Sequence, residues 1–268
     1  MMAILSPRQR EMLVSVSLVA TVACIVLGAW EFIVWKFDLP KALLPTPRQC
    51  WDAAVLERVA LFRATLSTGT SAFCGLLVAV AMGYGLAVIF SQSRSLRLAL
   101  FPYVILLQTV PIVAIAPLLI VWSGYTFRTV LIVTAIVCLF PIVNSVTGGL
   151  MSTKQDTNDL FRLYGAGRWK LLLHLQIPSS VSHLMLGTKT SSGLAVIGAI
   201  VAEFFVGNST SYDGLGTLMT GWANLLKTDA LVSAVFASAM LGVFLFGTVH
   251  LISAVFLRRW TSFATAAG

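Results

Sequence analysis

The side chains best suited to chemistry are scattered, and their spacing argues against catalysis. The histidines are His174, His183 and His250, and none sits in an HExxH pattern or next to a cysteine or aspartate. A hydrolase within a membrane would need a nucleophile with a base in hydrogen-bond reach. The many Ser and Thr of the apolar stretches more simply bond back to their own helix or bridge to a neighbour. Cys24, Cys50, Cys74 and Cys138 show no CxxC spacing. Three of them lie in apolar runs, where a free thiol behaves as a small hydrophobe. They indicate neither a zinc site nor a disulfide framework. The dipeptide Gly-Lys never occurs, so no P-loop can cradle a nucleotide. The expectation is a chain with no catalytic residues, no metal and no cofactor.

What remains are charges where charge is costly. Glu31, Lys189 and Glu203 lie within or at the ends of apolar stretches, and ionisable groups in hydrocarbon are paired, snorkel to an interface or mark a polar route. Each of the three fits an interface role or a place on a translocation pathway. Gln108, Asn144, Thr190, Ser191 and Ser192 are uncharged candidates for that same pathway.

The elements that must position these groups follow from composition. Of 268 residues, 58% are hydrophobic and only 10% charged, with a mean hydropathy of +0.91. Soluble domains carry about 25% charged residues, so this chain cannot coat a water-facing surface. It reads as an integral membrane protein, in contact with lipid over most of its length. The net charge of +8 and pI near 9.7 do not indicate nucleic acid, because no basic helix or stacking platform is visible. Basic loops on the cytoplasmic side account for them.

Six stretches have the roughly 20 apolar residues that a crossing helix needs: 12–35, 64–90, 101–122, 129–150, 184–206 and 231–257. Backbone in lipid must satisfy its own hydrogen bonds, so the fold class is all-α, a polytopic bundle of six transmembrane helices. The first stretch is too long for a signal-peptide core and reads as a retained span. With both termini cytoplasmic, inner segments hold ten Lys and Arg and outer segments seven, as the positive-inside rule favours. Gly75, Ala79 and Gly83 repeat every four residues, as do Gly198 and Ala202. Such ridges let helices approach closely, within one chain or between subunits. Pro102, Pro111 and Pro117 predict a bent third span.

The most polar connection runs from Ser152 to Pro178. Ser152 and Gln155 have capping-box spacing, and Asp156 and Asp159 suit a first helical turn. Leu160, Leu163 and Tyr164 then form an apolar face. Gly165 ends this helix, and a second short one is predicted from Arg168 to about Leu175, stopping before Pro178. Such a segment either docks a partner or lies along the lipid surface.

These residues resemble a known family. Gly165 and Pro178 are thirteen apart, as in the E-A-A-x3-G-x9-I-x-L-P loop of permeases from bacterial ABC importers of the type I fold, and Gly165-Ala166, Arg168 and Trp169 match a common G-A-x-R-W variant. Asp159-Leu160-Phe161 stands where E-A-A is usual; it keeps the acid and replaces two small residues with large ones. Leu44-Pro45-Thr46-Pro47, Pro111 to Leu118, Phe140-Pro141-Ile142 with Asn144, Ala202-Glu203 and Gly214-Leu215-Gly216 are similar to other signatures of the family, in order, over roughly residues 25–260. The branch is that of nitrate, sulfonate, taurine, thiamine-precursor and riboflavin importers, and the Ala202 to Gly207 wording points toward its pyrimidine and riboflavin members.

The resemblance implies a type I importer permease, multi-pass in the bacterial plasma membrane. Its expected partners are an ABC ATPase dimer, a second permease copy as a homodimer, an extracytoplasmic solute-binding protein and the lipid bilayer. ATPase coupling would fall on Asp159, Leu160, Phe161, Leu163, Gly165, Ala166, Arg168, Trp169 and Pro178. The pathway would draw on Gln108, Asn144, Ser191, Ser192 and Glu203. Residues 1–63 would form a tail, first span and external linker; 64–260 the permease core with coupling loop 151–183; and 261–268 a C-terminal tail. A stand-alone channel or secondary transporter is the alternative, and would have no use for such a loop.

Overall fold

The computed structural model describes residues 7–153, 155–207 and 213–266. Those residues are mostly helical, with no strand among them. The long apolar helices are α1 (Pro7–Lys36), α3 (Arg58–Gln92), α6 (Phe127–Met151), α9 (Ile177–Val206) and α11 (Thr228–Ala266). Among the described residues, five helical stretches are long and apolar enough to cross a membrane, and α4 (Arg94–Thr109) with α5 (Ile112–Ser123) makes a sixth crossing when the pair is counted as one. Helix α11 runs on through residues 261–266. Lys154, counted above among the inner basic residues, lies outside the described residues.

The third span differs from the single bent helix expected over 101–122. It is two helices at 100° to one another, and the break falls at Pro111. Proline lacks the N–H that would continue the ladder and biases the residue before it toward extended backbone. Val110 accordingly has φ −72°, ψ 125°. Pro102 and Pro117 remain inside α4 and α5.

Helix α6 is the centre of the bundle, flanked by α3 and α9. Leu76 and Ala79 of α3, Val133, Ile142 and Val146 of α6, and Ala195 and Ala199 of α9 are buried together. Lipid tails are as apolar as leucine, so close packing rather than exclusion from water holds such helices together. The glycine ridge supplies it within the chain. A Cβ on Gly75 would sit 2.6 Å from Thr134 Cβ, and one on Gly83 would sit 2.8 Å from Ile142 Cγ2. The same surface of α6 receives α9, with a Cβ on Gly198 only 3.2 Å from Thr134 Cα.

Two connections without apolar periodicity each contain a helix at the end of the bundle where α3 begins. Helix α2 (Pro47–Leu56) starts with a capping box: Thr46 Oγ1 accepts the Gln49 N–H at 3.2 Å, and Gln49 Oε1 accepts the Thr46 N–H at 2.9 Å. Pro47 occupies the first helical turn, where its missing N–H costs nothing. Thr46→Ala is expected to destabilise α2 by about 1 kcal/mol, which would appear as faster amide hydrogen exchange confined to that helix. The second is α10 (Leu215–Asn224), which buries Leu215, Met219 and Trp222 against Ala53, Leu61, Ala64 and Ala230.

The segment joining α1 to α2, and α2 itself, are clamped to the start of α11. Lys41 pairs with Asp229 at 2.8 Å, Thr228 donates to the Ala42 carbonyl at 2.6 Å, and Ser233 donates to the Cys50 carbonyl at 2.7 Å. Burial raises the Cys50 thiol pKa above its ordinary value, with the Asp229 charge adding to it, which suits an inert structural thiol. Helix α1 otherwise stands apart, with Trp30 stacked on Phe236 at 6.1 Å.

Candidate functional site

At the opposite end of the bundle, where α3 and α6 finish, the polar connection projects. Helix α7 (Gln155–Leu163) carries Asp156 in its first turn and Arg162 in its last, matching the helix dipole at both ends. Thr157, Asn158 and Phe161 form its half-buried side, while Asp159, Leu160 and Leu163 face outward. Leu163 is 83% exposed, Tyr164 85% and Trp169 74%. The capping box expected from Ser152 does not form. Ser152 closes α6 instead, donating its hydroxyl to the Gly149 carbonyl at 2.9 Å.

The turn after α7 explains Gly165. The Ala166 N–H bonds to the Phe161 carbonyl and the Gly165 N–H to the Arg162 carbonyl, both at 2.9 Å. This is a Schellman closure, which needs a left-handed residue at the second position after the helix. Gly165 has φ +75°, where any side chain is strained. Leu160, Phe161, Tyr164, Ala166, Lys170 and His174 then line an apolar groove of about 430 Å³ between α7 and the helix that follows.

That following helix does not stop before Pro178, as the sequence had suggested. Helix α8 (Arg168–Leu171) passes through a π-helical turn, Leu172–Gln176, directly into α9. The Ile177 N–H bonds to the Leu172 carbonyl, five residues back. Proline removes a donor and crowds the carbonyl four residues earlier; the wider π turn makes room for it without ending the helix. Leu172 is buried in the main core, and Gln92 at the end of α3 donates its amide to Gln176 Oε1 at 3.0 Å.

The polar pathway candidates divide into two groups. Gln108, in the last turn of α4, and Asn144, on α6, are exposed on the protomer, as is Thr190. Ser191, Ser192 and Glu203 are buried inside it. Ser191 donates to the Cys138 carbonyl at 3.1 Å, and Ser192 to the Lys189 carbonyl at 2.7 Å. Glu203 is 0% exposed. Its Oε2 accepts the Thr68 hydroxyl and the Gly216 N–H, both at 2.9 Å, and Thr68 Oγ1 accepts the Leu215 N–H at 2.8 Å. Thr68, Lys170, Gln92 and Gln176 were not singled out from sequence, and His174 was weighed only as a catalytic or metal-binding residue. Lys170 and His174 follow Phe161 at no helical spacing, and Thr68 lies 135 residues from its carboxylate partner.

A family model described as the binding-protein-dependent transport system inner membrane component matches residues 75–262. The chain is similar to the riboflavin transport system permease protein of Chloroflexus aurantiacus, 30% identical over 88% of this chain and 87% of that one. It is 27% identical to the formylaminopyrimidine transport permease protein of Halalkalibacterium halodurans, over 85% of this chain and 90% of that one. It is 28% identical to a probable ABC transporter permease protein of Haemophilus influenzae, over 78% of this chain and 84% of that one.

Proposed function

Since the chain belongs to the binding-protein-dependent transport system inner membrane component family, and is the membrane-spanning permease subunit of an ATP-driven importer of small solutes, we propose that α7, its glycine turn and α8 are the surface on which the ATPase subunit docks. One observation carries this: an amphipathic helix at the end of the bundle leaves Leu160, Leu163, Tyr164 and Trp169 uncovered, although it stands off the spans that would otherwise bury them. Asp159 and Arg168 are also exposed there and give the apolar patch a charged rim, as partner interfaces have. Phe161 and Ala166 line the groove, Gly165 shapes it, and Pro178 sits where α8 passes into α9.

The permease itself transports and does not hydrolyse ATP; the ATPase is a separate subunit and a solute-binding protein delivers the cargo. Two copies of the chain would enclose the pathway, with Gln108 and Asn144 on the surfaces between them. Polar side chains exposed on apolar helices are costly in lipid, which supports their facing a polar pathway or a second copy. Both termini would be cytoplasmic, which puts α7 on the ATPase side. The sparse packing of α1 supports a first span that stands apart from the core, whereas α2 and the first turn of α3 pack into that core against α10 and α11. The names of the relatives support a small nitrogen heterocycle of the pyrimidine or flavin type as the solute.

The test of the docking surface is proximity. With Leu163→Cys in the permease and single cysteines across the ATPase face, disulfide cross-links are expected at Leu163. None are expected when the cysteine is instead placed at Leu43, an exposed residue beyond the other end of α1. Cross-linking from position 43 alone would put the ATPase at the wrong end. Mass spectrometry of the molecule retained by the co-purified binding protein would identify the solute.

A further inference from the structure

Glu203 is a carboxylate with no access to solvent, placed at the far end of the helix that leaves the coupling surface. Arg168–Val206 is a single helical stretch of 39 residues, about 58 Å at 1.5 Å per residue. Hydrogen bonds tie this rod to α3 at three levels. Gln92 meets Gln176 at 3.0 Å near one end, Tyr84 meets Ser180 at 3.3 Å further along, and Thr68 meets Glu203 at 2.9 Å at the other end. The last tie differs from the others because its acidic side chain is fully buried, and because it takes in a third element. Glu203 and Thr68 together satisfy the N–H groups of Gly216 and Leu215, two of the four that begin α10 without an intrahelical partner.

Helices are ordinarily capped by the residue just before them. Here that residue is Gly214, which has no side chain to offer. The cap comes instead from α9 and α3. The glycines leave room for it. A Cβ on Gly214 would fall on the Glu203 carboxyl group, and one on Gly216 on the Ile200 carbonyl oxygen. In an ordinary cap a Ser or Asp at 214 would accept from the second or third N–H of α10 without joining any other helix. The arrangement therefore links three elements, where a simple cap would have served one.

We infer that Glu203 is a positioning residue for the transport cycle: through Thr68 and the start of α10 it makes α3, α9 and α10 one body, so that displacement of the α8–α9 rod by the ATPase reaches the face that receives the solute. This rests on the reading of α7 and α8 as the ATPase side. Neither Glu203 nor Thr68 needs to touch the solute for this role. Loss of the tie leaves the ATPase surface untouched and loosens α10 on the rod, leaving apolar contacts such as those with Ile200 to hold it there.

The experiment uses the assembled importer, permease with its ATPase and binding protein, in nanodiscs. Glu203→Gln and Thr68→Val are expected to keep basal ATP hydrolysis while the stimulation by loaded binding protein falls about tenfold, within the range of a coupling free energy between sites. Thr68→Ser retains the hydroxyl and is expected to behave as the unaltered chain. Spin labels on Asn224→Cys of α10 and Ile89→Cys, exposed near the far end of α3, in a Cys24→Ser background, report on the body itself. Their separation should stay constant between nucleotide-free and ATP-bound states in the parent and change in Glu203→Gln. Should the variants lower only thermal stability, with the ratio of stimulated to basal hydrolysis and the label separation unchanged, Glu203 is a structural cap and the inference is overturned. A Gly165→Pro chain that remains coupled would instead remove the docking reading, so the two failures are separable.

Discussion

A chain carrying Gly165→Pro is expected to reach the membrane and fold, while binding-protein-driven solute uptake falls by about tenfold or more and ATP hydrolysis by the partner continues. The reason is local. Gly165 has φ +75°, and proline is held near −65°. Proline also lacks the N–H that Gly165 donates to the Arg162 carbonyl. Both bonds of the Schellman turn depend on this geometry, so α7 would lose its closure and its aim relative to α8. A Cβ at position 165 would meet nothing within 4 Å, so the restriction lies on backbone conformation and not on space. Gly165→Ala should therefore cost only about 1 kcal/mol, the usual penalty of a left-handed non-glycine residue, and uncouple partially. Asp159→Lys leaves the backbone alone and reverses a charge on the exposed side of α7; it should weaken ATPase docking without unfolding α7. Uptake of radiolabelled solute and phosphate release, measured together in proteoliposomes, separate these outcomes. Normal uptake in both Gly165→Pro and Asp159→Lys would remove the coupling assignment.

Gly75→Ala is expected to destabilise the bundle itself, by about 1–3 kcal/mol or more, and Gly85→Ala to leave it nearly unchanged. The two glycines lie on the same helix, ten residues apart. A Cβ on Gly75 would press on Thr134 at 2.6 Å and on the Leu131 carbonyl oxygen at 3.3 Å, whereas one on Gly85 meets nothing within 4 Å. Thr134 cannot easily give way. It is buried, β-branched and held by a hydrogen bond from its hydroxyl to the Val130 carbonyl at 2.8 Å. Relief must therefore come from separating α3 and α6, and the dispersion contacts of the whole seam are lost with it. Thermal unfolding of the detergent-solubilised permease, followed by tryptophan fluorescence, would rank the two. Equal melting temperatures would mean that the ridge does not pack within the chain.

Much of this is legible in the sequence. Apolar runs located the long helices, because a span must be long and apolar whatever it packs against; α6 matches to within two residues at each end, whereas α9 begins seven residues earlier and α11 ends nine residues later than the runs expected. Gly165 was legible for a similar reason: a glycine after an amphipathic run and before another helix is a local signal. Pro111 and Pro178 show where local signals stop. Both precede or enter apolar helix, yet one breaks the chain by 100° and the other is absorbed by a π turn. The choice rests on neighbours. Leu172 is drawn into the core and Gln176 is held by Gln92, so the chain around Pro178 is kept in line. The small helices α2 and α10 were hidden because they are short and only partly apolar, although Thr46-Pro47 with Gln49 carried a capping signal.

The order of the chain by itself determined a membrane-embedded, all-helical protein with a projecting, glycine-closed helix. These properties follow from hydropathy, from the need to satisfy backbone groups in lipid, and from the dihedral freedom of a single residue. Only the tertiary structure decided what the buried groups do. Glu203 read as a costly charge of uncertain purpose beside Ser191 and Ser192; the fold sets it against Thr68 and the first turn of α10, 135 and 13 residues away. Hydrogen bonds act over about 3 Å, and no pattern of spacing along a chain specifies which distant donors will lie that close once helices have packed.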